Sequence, residues 1–138
     1  MNPLHPVPGR GSVRYGKPKE RLTGNEQTCV SHLESLGYQV EVLDEDLEKP
    51  ANIDLRLGEM KNVGDGKHAI EDNMRNAYHK WVRLGLDAPN ETRVVMTSYG
   101  GMRSESEIVD EIRRRMRRYA ANVIYIFRDG ASSLFLRR

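Results

Sequence analysis

The chain has 138 residues, of which 38% are hydrophobic and 30% charged, and a net charge of +2. That length suits one rather polar domain built around one core. No apolar run is long enough to cross a bilayer, no charged start leads into an apolar stretch as a signal peptide would, and the single cysteine, Cys29, excludes an intrachain disulfide.

Residues 1–19 contain four of the six prolines and no apolar period. They read as a flexible leader or linker, with the folded domain expected over residues 20–138. His5 falls in that leader and is assigned no role. A first helix is predicted from Leu22 or Asn25 to Leu36, since Leu22, Cys29, Val30, Leu33 and Leu36 recur at helical spacing. Thr23 or Asn25 can cap its start, and Gly37 ends it. Cys29, between apolar neighbours, reads as a small core residue. "YQVEVL" alternates and is a strand, followed by the acidic loop "EVLDEDLEK", Glu41 to Lys49.

The next stretch, "NIDLRLGEMKNV" (Asn52 to Val63), reads as two short strands around a tight turn. With Leu57 and Gly58 at the turn, Arg56 opposes Glu59, Leu55 opposes Met60 and Asp54 opposes Lys61. Opposed residues share a face, so Asp54, Arg56, Glu59 and Lys61 are expected on an open charged face, with Ile53, Leu55, Leu57 and Met60 on the core side. A register slip of one residue would reverse this.

A second helix is predicted from His68 to Leu84, with Ile70, Met74, Ala77, Trp81 and Leu84 inward and Asn76, His79, Lys80 and Arg83 beside that stripe. "TRVVMTSY" is a strand. A third helix opens at "SESE", where Ser104 and Glu107 have capping-box spacing, and runs to Tyr119 with Ile108, Val109, Ile112 and Met116 inward. "NVIYIF" and "SSLFLR" form a hairpin around "RDGA". The fold class is therefore mixed α/β in the order α-β-β-β-α-β-α-β-β, a central mixed sheet flanked by helices.

Two regions carry candidate chemistry. The first is the hairpin. Its charges suit either cross-strand ion pairs, worth about 0.2–1 kcal/mol each, or a phosphodiester-cleaving site. In the second case Asp54 and Glu59 could hold a divalent cation such as Mg²⁺, with Lys61 stabilising developing negative charge. Without metal, a carboxylate or His79 would take the proton of a ribose 2′-hydroxyl while Lys61 or an arginine stabilises the phosphorane. Glu26, beside the buried stripe of the first helix, could reach towards the sheet or could simply favour the helix dipole. The second region is "RRRMRR", with five arginines in six residues, and the terminal Arg137-Arg138. The inward spacing of Ile108, Ile112, Met116 and Tyr119 leaves Arg113, Arg114, Arg117 and Arg118 on outer faces, with Arg115 at the boundary. Cations complement a helix C-terminus, but this number points to phosphate contacts. Tyr99, Tyr119 and Tyr125 could stack on unpaired bases, although Tyr125 better suits a packed strand.

The element order, an acid at the start of the second strand and Glu-X-Lys in the third resemble the core of the PD-(D/E)XK nucleases, with Asp54, Glu59 and Lys61 matching and Glu26 at the helical glutamate position. Ile53 replaces the proline before the aspartate, and the spacing from Asp54 to Glu59 is short for that group. A closer resemblance, over residues 20–138, is to the C-terminal tRNase domains of CdiA-type contact-dependent growth-inhibition toxins. It rests on "LESLGYQV", "IDLRLGEMK", "TRVVMTSY", the arginine-rich helix and the terminal hairpin. The hairpin here is tighter, and Asn76 or His79 stands where those domains carry a glutamine. The resemblance implies an RNase acting on tRNA. It further implies a module carried by a larger secreted effector, action in the target-cell cytoplasm, and a cognate immunity protein. Because both metal-dependent and metal-independent members exist, the resemblance leaves metal dependence open; the alternatives are a metal-dependent PD-(D/E)XK-type DNA endonuclease and, where the hairpin charges are only ion pairs, a non-catalytic nucleic-acid-binding module.

Overall fold

A computed structural model of the chain describes residues 6–16, 18–42, 60–83, 85, 93–119 and 121–138. They fall into two compact units, one within residues 1–54 and the other within 55–138. Both are α/β, the fold class expected from the sequence.

In the first unit, strand β1 (Ser12–Tyr15) runs parallel to β2 (Gln39–Val42), with helix α1 (Gly24–Ser35) as the crossover. Strand β1 lies within the stretch read as a leader, and this corrects that reading for residues 12–15. The pairing is with a strand more than twenty residues on, so the Pro/Gly-rich surroundings gave no local sign of it. Cys29, Val30 and Leu33 of α1 are buried, with Leu22, Tyr38 and Val40 around them. Helix α1 starts at a capping box: the Glu26 N–H donates to Thr23 Oγ1 at 3.1 Å, and the Thr23 N–H returns to Glu26 Oε1 at 3.0 Å. It ends where Gly37 takes φ +100° and the Tyr38 N–H donates back to the Leu33 carbonyl at 3.1 Å.

The second unit is a four-stranded sheet in the order β3-β4-β5-β6: β3 (Met60–Asn62), β4 (Arg93–Thr97), β5 (Asn122–Ile126) and β6 (Ser133–Leu136). Strands β3, β4 and β5 are parallel, linked by helices α2 (Lys67–Arg83) and α3 (Glu105–Met116); β6 returns antiparallel. Helices α2 and α3 pack side by side, as successive crossovers of one hand require when the strand order advances one way. They lie on the face bearing Tyr125, whose hydroxyl donates to Glu105 Oε1 at 2.9 Å. Ile70, Met74, Ile108, Ile112 and Met116 form the buried stripe of the two helices, matching their predicted inward spacing; Trp81 and Leu84 lie outside what is described. The terminal hairpin turns through Gly130 at φ +71°, with Asp129 Oδ1 accepting the N–H groups of Ala131 and Ser132.

The predicted capping box at Ser104 and Glu107 does not form. Ser104 is the N-cap residue of α3, but its hydroxyl bonds to that of Ser106 at 2.7 Å. The box at Thr23 and Glu26 has the same Ser/Thr-X-X-Glu spacing and is the one the chain uses.

Candidate nucleic-acid interface

Of the hairpin residues, Asp54, Arg56 and Glu59, with the whole predicted turn, lie outside the described residues. Lys61 is on β3, half-buried and level with Met96. Register places Lys61, Met96 and Tyr125 on one face, the face that α3 covers. Met60 and Asn62 sit beside Val95 and Thr97 on the other. Strand β4 is buried on both faces. Of the predicted hairpin only its second strand from Met60 on is described, with Met60 and Lys61 half-buried and Asn62 exposed; the pairing expected to make an open charged face lies outside the described residues. Lys61 sits at the rim of the helix-covered face, next to an inner strand.

The remaining catalytic candidates are placed as follows. Glu26 belongs to the first unit, where its carboxylate serves the α1 capping box. His79 is exposed on α2 and touches the Tyr78 ring edge-on at 5.7 Å. Among the described residues it makes no hydrogen bond or ion pair, and none of their carboxylates orients its imidazole. Cys29 is buried, and burial, with Glu26 nearby, pushes its thiol up to about 11; it is a core residue, not a nucleophile. No three carboxylate, histidine or cysteine side chains converge as a metal set among the described residues. Asp54 and Glu59, which the Mg²⁺ reading needs, are not among them.

The arginines do come together. Arg113, Arg114, Arg117 and Arg118 are all exposed at the C-terminal end of α3. Arg138 is folded against the same end: its Nε donates to the Met116 carbonyl at 3.0 Å, its Nη2 reaches the Arg117 carbonyl at 3.5 Å, and its N–H donates to Asn122 Oδ1 at 3.0 Å. The terminal arginines and the arginine helix thus form one basic end, next to the start of β5. Two acids within it were not singled out from sequence. Glu111, 2% exposed, accepts from Arg114 and from Arg115, the latter at 3.0 Å. Glu71 of α2 pairs with Arg115 at 3.7 Å and Arg118 at 3.6 Å. The Arg114 hydrogen bond outweighs desolvation and holds the Glu111 carboxyl below the usual range. Among the described residues, Arg113 and Arg117 have no acidic partner.

Lys61 and the arginine end lie on the same side of the sheet. Lys61 is level with Met96, three residues along β4 from Arg93, which is level with Asn122. That is about 10 Å along the strands and, two strands across, about 10 Å laterally.

The opposite end of the sheet carries a different polar group, also missed in the sequence. Asp65, in the turn after β3, accepts the N–H groups of Met102 at 2.7 Å and Arg103 at 2.8 Å, and the Arg103 guanidinium donates back to the Asp65 carbonyl at 3.0 Å. Arg128 Nη2 lies 3.7 Å from Asp65, and its Nε donates to the Ser98 carbonyl at 3.0 Å. The Tyr125 hydroxyl sits between Ser98 Oγ at 2.6 Å and Glu105; burial pushes its pKa up to about 12. These bonds tie the three loops at the strand C-termini together, a structural clasp. Tyr99, 56% exposed, projects at this end, away from the arginines; Tyr119 and Tyr125 are buried. Neither buried ring can stack on a base, because each fills the core that its apolar neighbours define.

No helix among the described residues is long and apolar enough to cross a membrane. Comparison with family models, with curated proteins and with solved structures finds no match.

Proposed function

We propose that this chain is a nuclease that cleaves RNA, with tRNA as its substrate, at a site centred on Lys61. The observation that carries the reading is the basic end. Four exposed arginines of α3 and the folded-back Arg138 concentrate positive charge on a protein whose net charge is only +2. Guanidinium groups bind phosphate in bidentate fashion, and such contacts give affinity and position rather than sequence choice. Lys61, on the same side of the sheet, is the group that would stabilise charge on the phosphorane. Asp54, Glu59 and His79 are its proposed partners, by resemblance to the CdiA-type tRNase domains. On that resemblance the chain is the effector end of a larger secreted toxin, acts in the target-cell cytoplasm, and is neutralised by an immunity protein.

The test is to incubate the purified protein with total tRNA and with plasmid DNA, in Mg²⁺ and in EDTA. The expected result is cleavage of tRNA and an intact plasmid. Retained cleavage in EDTA assigns Asp54 and Glu59 to proton transfer or positioning; loss assigns them to a metal. Cleavage of the plasmid alone would replace this reading with a DNA endonuclease. Binding of tRNA with no cleavage under either condition would replace it with a non-catalytic module.

A further inference from the structure

The arginines at the end of α3 are not equivalent. Glu111 Oε1 faces Arg115 Nη2, while Glu111 Oε2 faces Arg114 Nη2. Glu71 Oε2 faces Arg115 Nη1, while Glu71 Oε1 faces Arg118 Nη1. The five side chains form one alternating row, Arg114–Glu111–Arg115–Glu71–Arg118, that crosses from α3 to α2 and back. Each carboxylate gives one oxygen to the central arginine and one to an outer arginine. Arg115 is the least exposed of the three, at 31% of its side chain, and its Nε is buried without a hydrogen-bond partner among the described residues. Arg114 and Arg118 are 60% and 73% exposed.

A free surface arginine must lose substantial rotamer entropy to hold one geometry. Here Glu111 is hydrogen-bonded to both Arg114 and Arg115, and Glu71 lies at ion-pair distance from both Arg115 and Arg118. Each guanidinium carries five N–H donors in a fork, and the exposed ones keep donors turned to solvent. Arg114 lies in the last turn of α3 and Arg118 in the turn that follows its C-cap, Arg117. We infer that Glu71, Glu111 and Arg115 are positioning residues that present Arg114 and Arg118 as a fixed pair for two neighbouring phosphates of one polynucleotide strand. This rests on the nuclease reading, and it separates the arginines that position from those that touch RNA.

Charge counting and positioning predict opposite signs for one substitution. Glu71→Gln removes a negative charge from the basic end, so charge alone would tighten RNA binding. If Glu71 positions Arg118, the same change weakens it. The experiment measures binding of end-labelled tRNA across a salt series, with every protein carrying Lys61→Ala so that the probe stays whole. Circular dichroism and the thermal midpoint verify folding. The expected result is about three- to tenfold weaker binding by Glu71→Gln, with a salt slope shallower by about one phosphate contact. Arg113→Gln, outside the row, should lose affinity as a single independent charge. Unchanged or tighter binding by folded Glu71→Gln overturns the inference while leaving the nuclease reading intact. Should Glu71→Gln be unstable, Glu71→Asp, Arg118→Gln and their double variant close a cycle. Non-additivity supports positioning, and additivity overturns it. A parent protein that binds no tRNA overturns the nuclease reading, and this inference with it.

Discussion

Arg138 caps the C-terminal end of α3: its Nε donates to the Met116 carbonyl at 3.0 Å. The last carbonyls of a helix have no partner within the helix, and a cation there also complements the helix dipole. One residue therefore joins the terminal hairpin to the arginine helix and adds charge to the basic end.

Arg138→Ala should cost about 1–3 kcal/mol of stability, as expected for loss of hydrogen bonds to a charged donor, and should also weaken tRNA binding. Urea unfolding and a binding titration on the same preparation check both effects. Arg137→Ala should weaken binding with little change in stability, since Arg137 is exposed and makes no ion pair among the described residues.

The Asp65 clasp predicts an acid limit. Hydrogen bonds from the Arg103 and Met102 N–H groups lower the Asp65 carboxyl below its ordinary 3.8. A carboxylate with a depressed folded-state pKa contributes stability that is present above the unfolded value and lost as pH falls through the folded one. Glu111, lowered chiefly by Arg114, acts in the same direction. The thermal midpoint should therefore fall as pH drops below about 4, and Asp65→Asn should be less stable at neutral pH with a shallower acid decline.

An alkaline limit follows from two buried acids, Cys29 and Tyr125, that are both raised. Burial raises Cys29 from 9.0 to about 11 and Tyr125 from 10.0 to about 12. In the unfolded chain they lose protons first, so stability is complete below pH 9 and declines as pH rises through 9–12. Tyr125→Phe should be less stable at pH 8, because Glu105 and Ser98 lose a partner, yet its stability should fall less between pH 10 and 12.

Gly101 is fixed by space. A Cβ there would lie 2.5 Å from Asp65 Oδ1 and 2.8 Å from Arg128 Nη2. Gly101→Ala must push the clasp apart and should cost about 1–3 kcal/mol, read as a lower urea midpoint. Gly64→Ala meets nothing within 4 Å, but Gly64 has φ +53°, so its smaller cost reports backbone strain alone.

What the sequence disclosed followed from local periodicity. The stripe Ile108, Ile112, Met116 and Tyr119 placed α3, and its burial left Arg113, Arg114, Arg117 and Arg118 outside as expected. The apolar runs at 93–97 and 122–126 gave the two inner strands. What stayed hidden depended on distant partners. Strand β1 is defined by pairing with β2, and the clasp joins Asp65 to residues 37 and 38 positions away. The Glu71 contacts with Arg115 and Arg118 need α2 packed on α3, whereas Glu111 meets Arg114 and Arg115 at helical spacing within α3 itself. Glu26 stands beside a legible buried stripe, which suggests a site residue, but its carboxylate is engaged by the Thr23 N–H in the capping box. The register of Lys61 beside Met96 could not be read from the hairpin pattern, since it is set by the parallel neighbour.

The most direct measurement is the single-turnover rate of tRNA cleavage by the wild-type protein and by Lys61→Ala, with enzyme in excess and tRNA affinity measured in parallel. If Lys61 stabilises the charge that develops at the phosphorus, the variant should cleave about 10²–10³-fold more slowly, with affinity nearly unchanged because the arginine end still holds the RNA. A Lys61→Ala protein that cleaves tRNA at the wild-type rate would contradict the account.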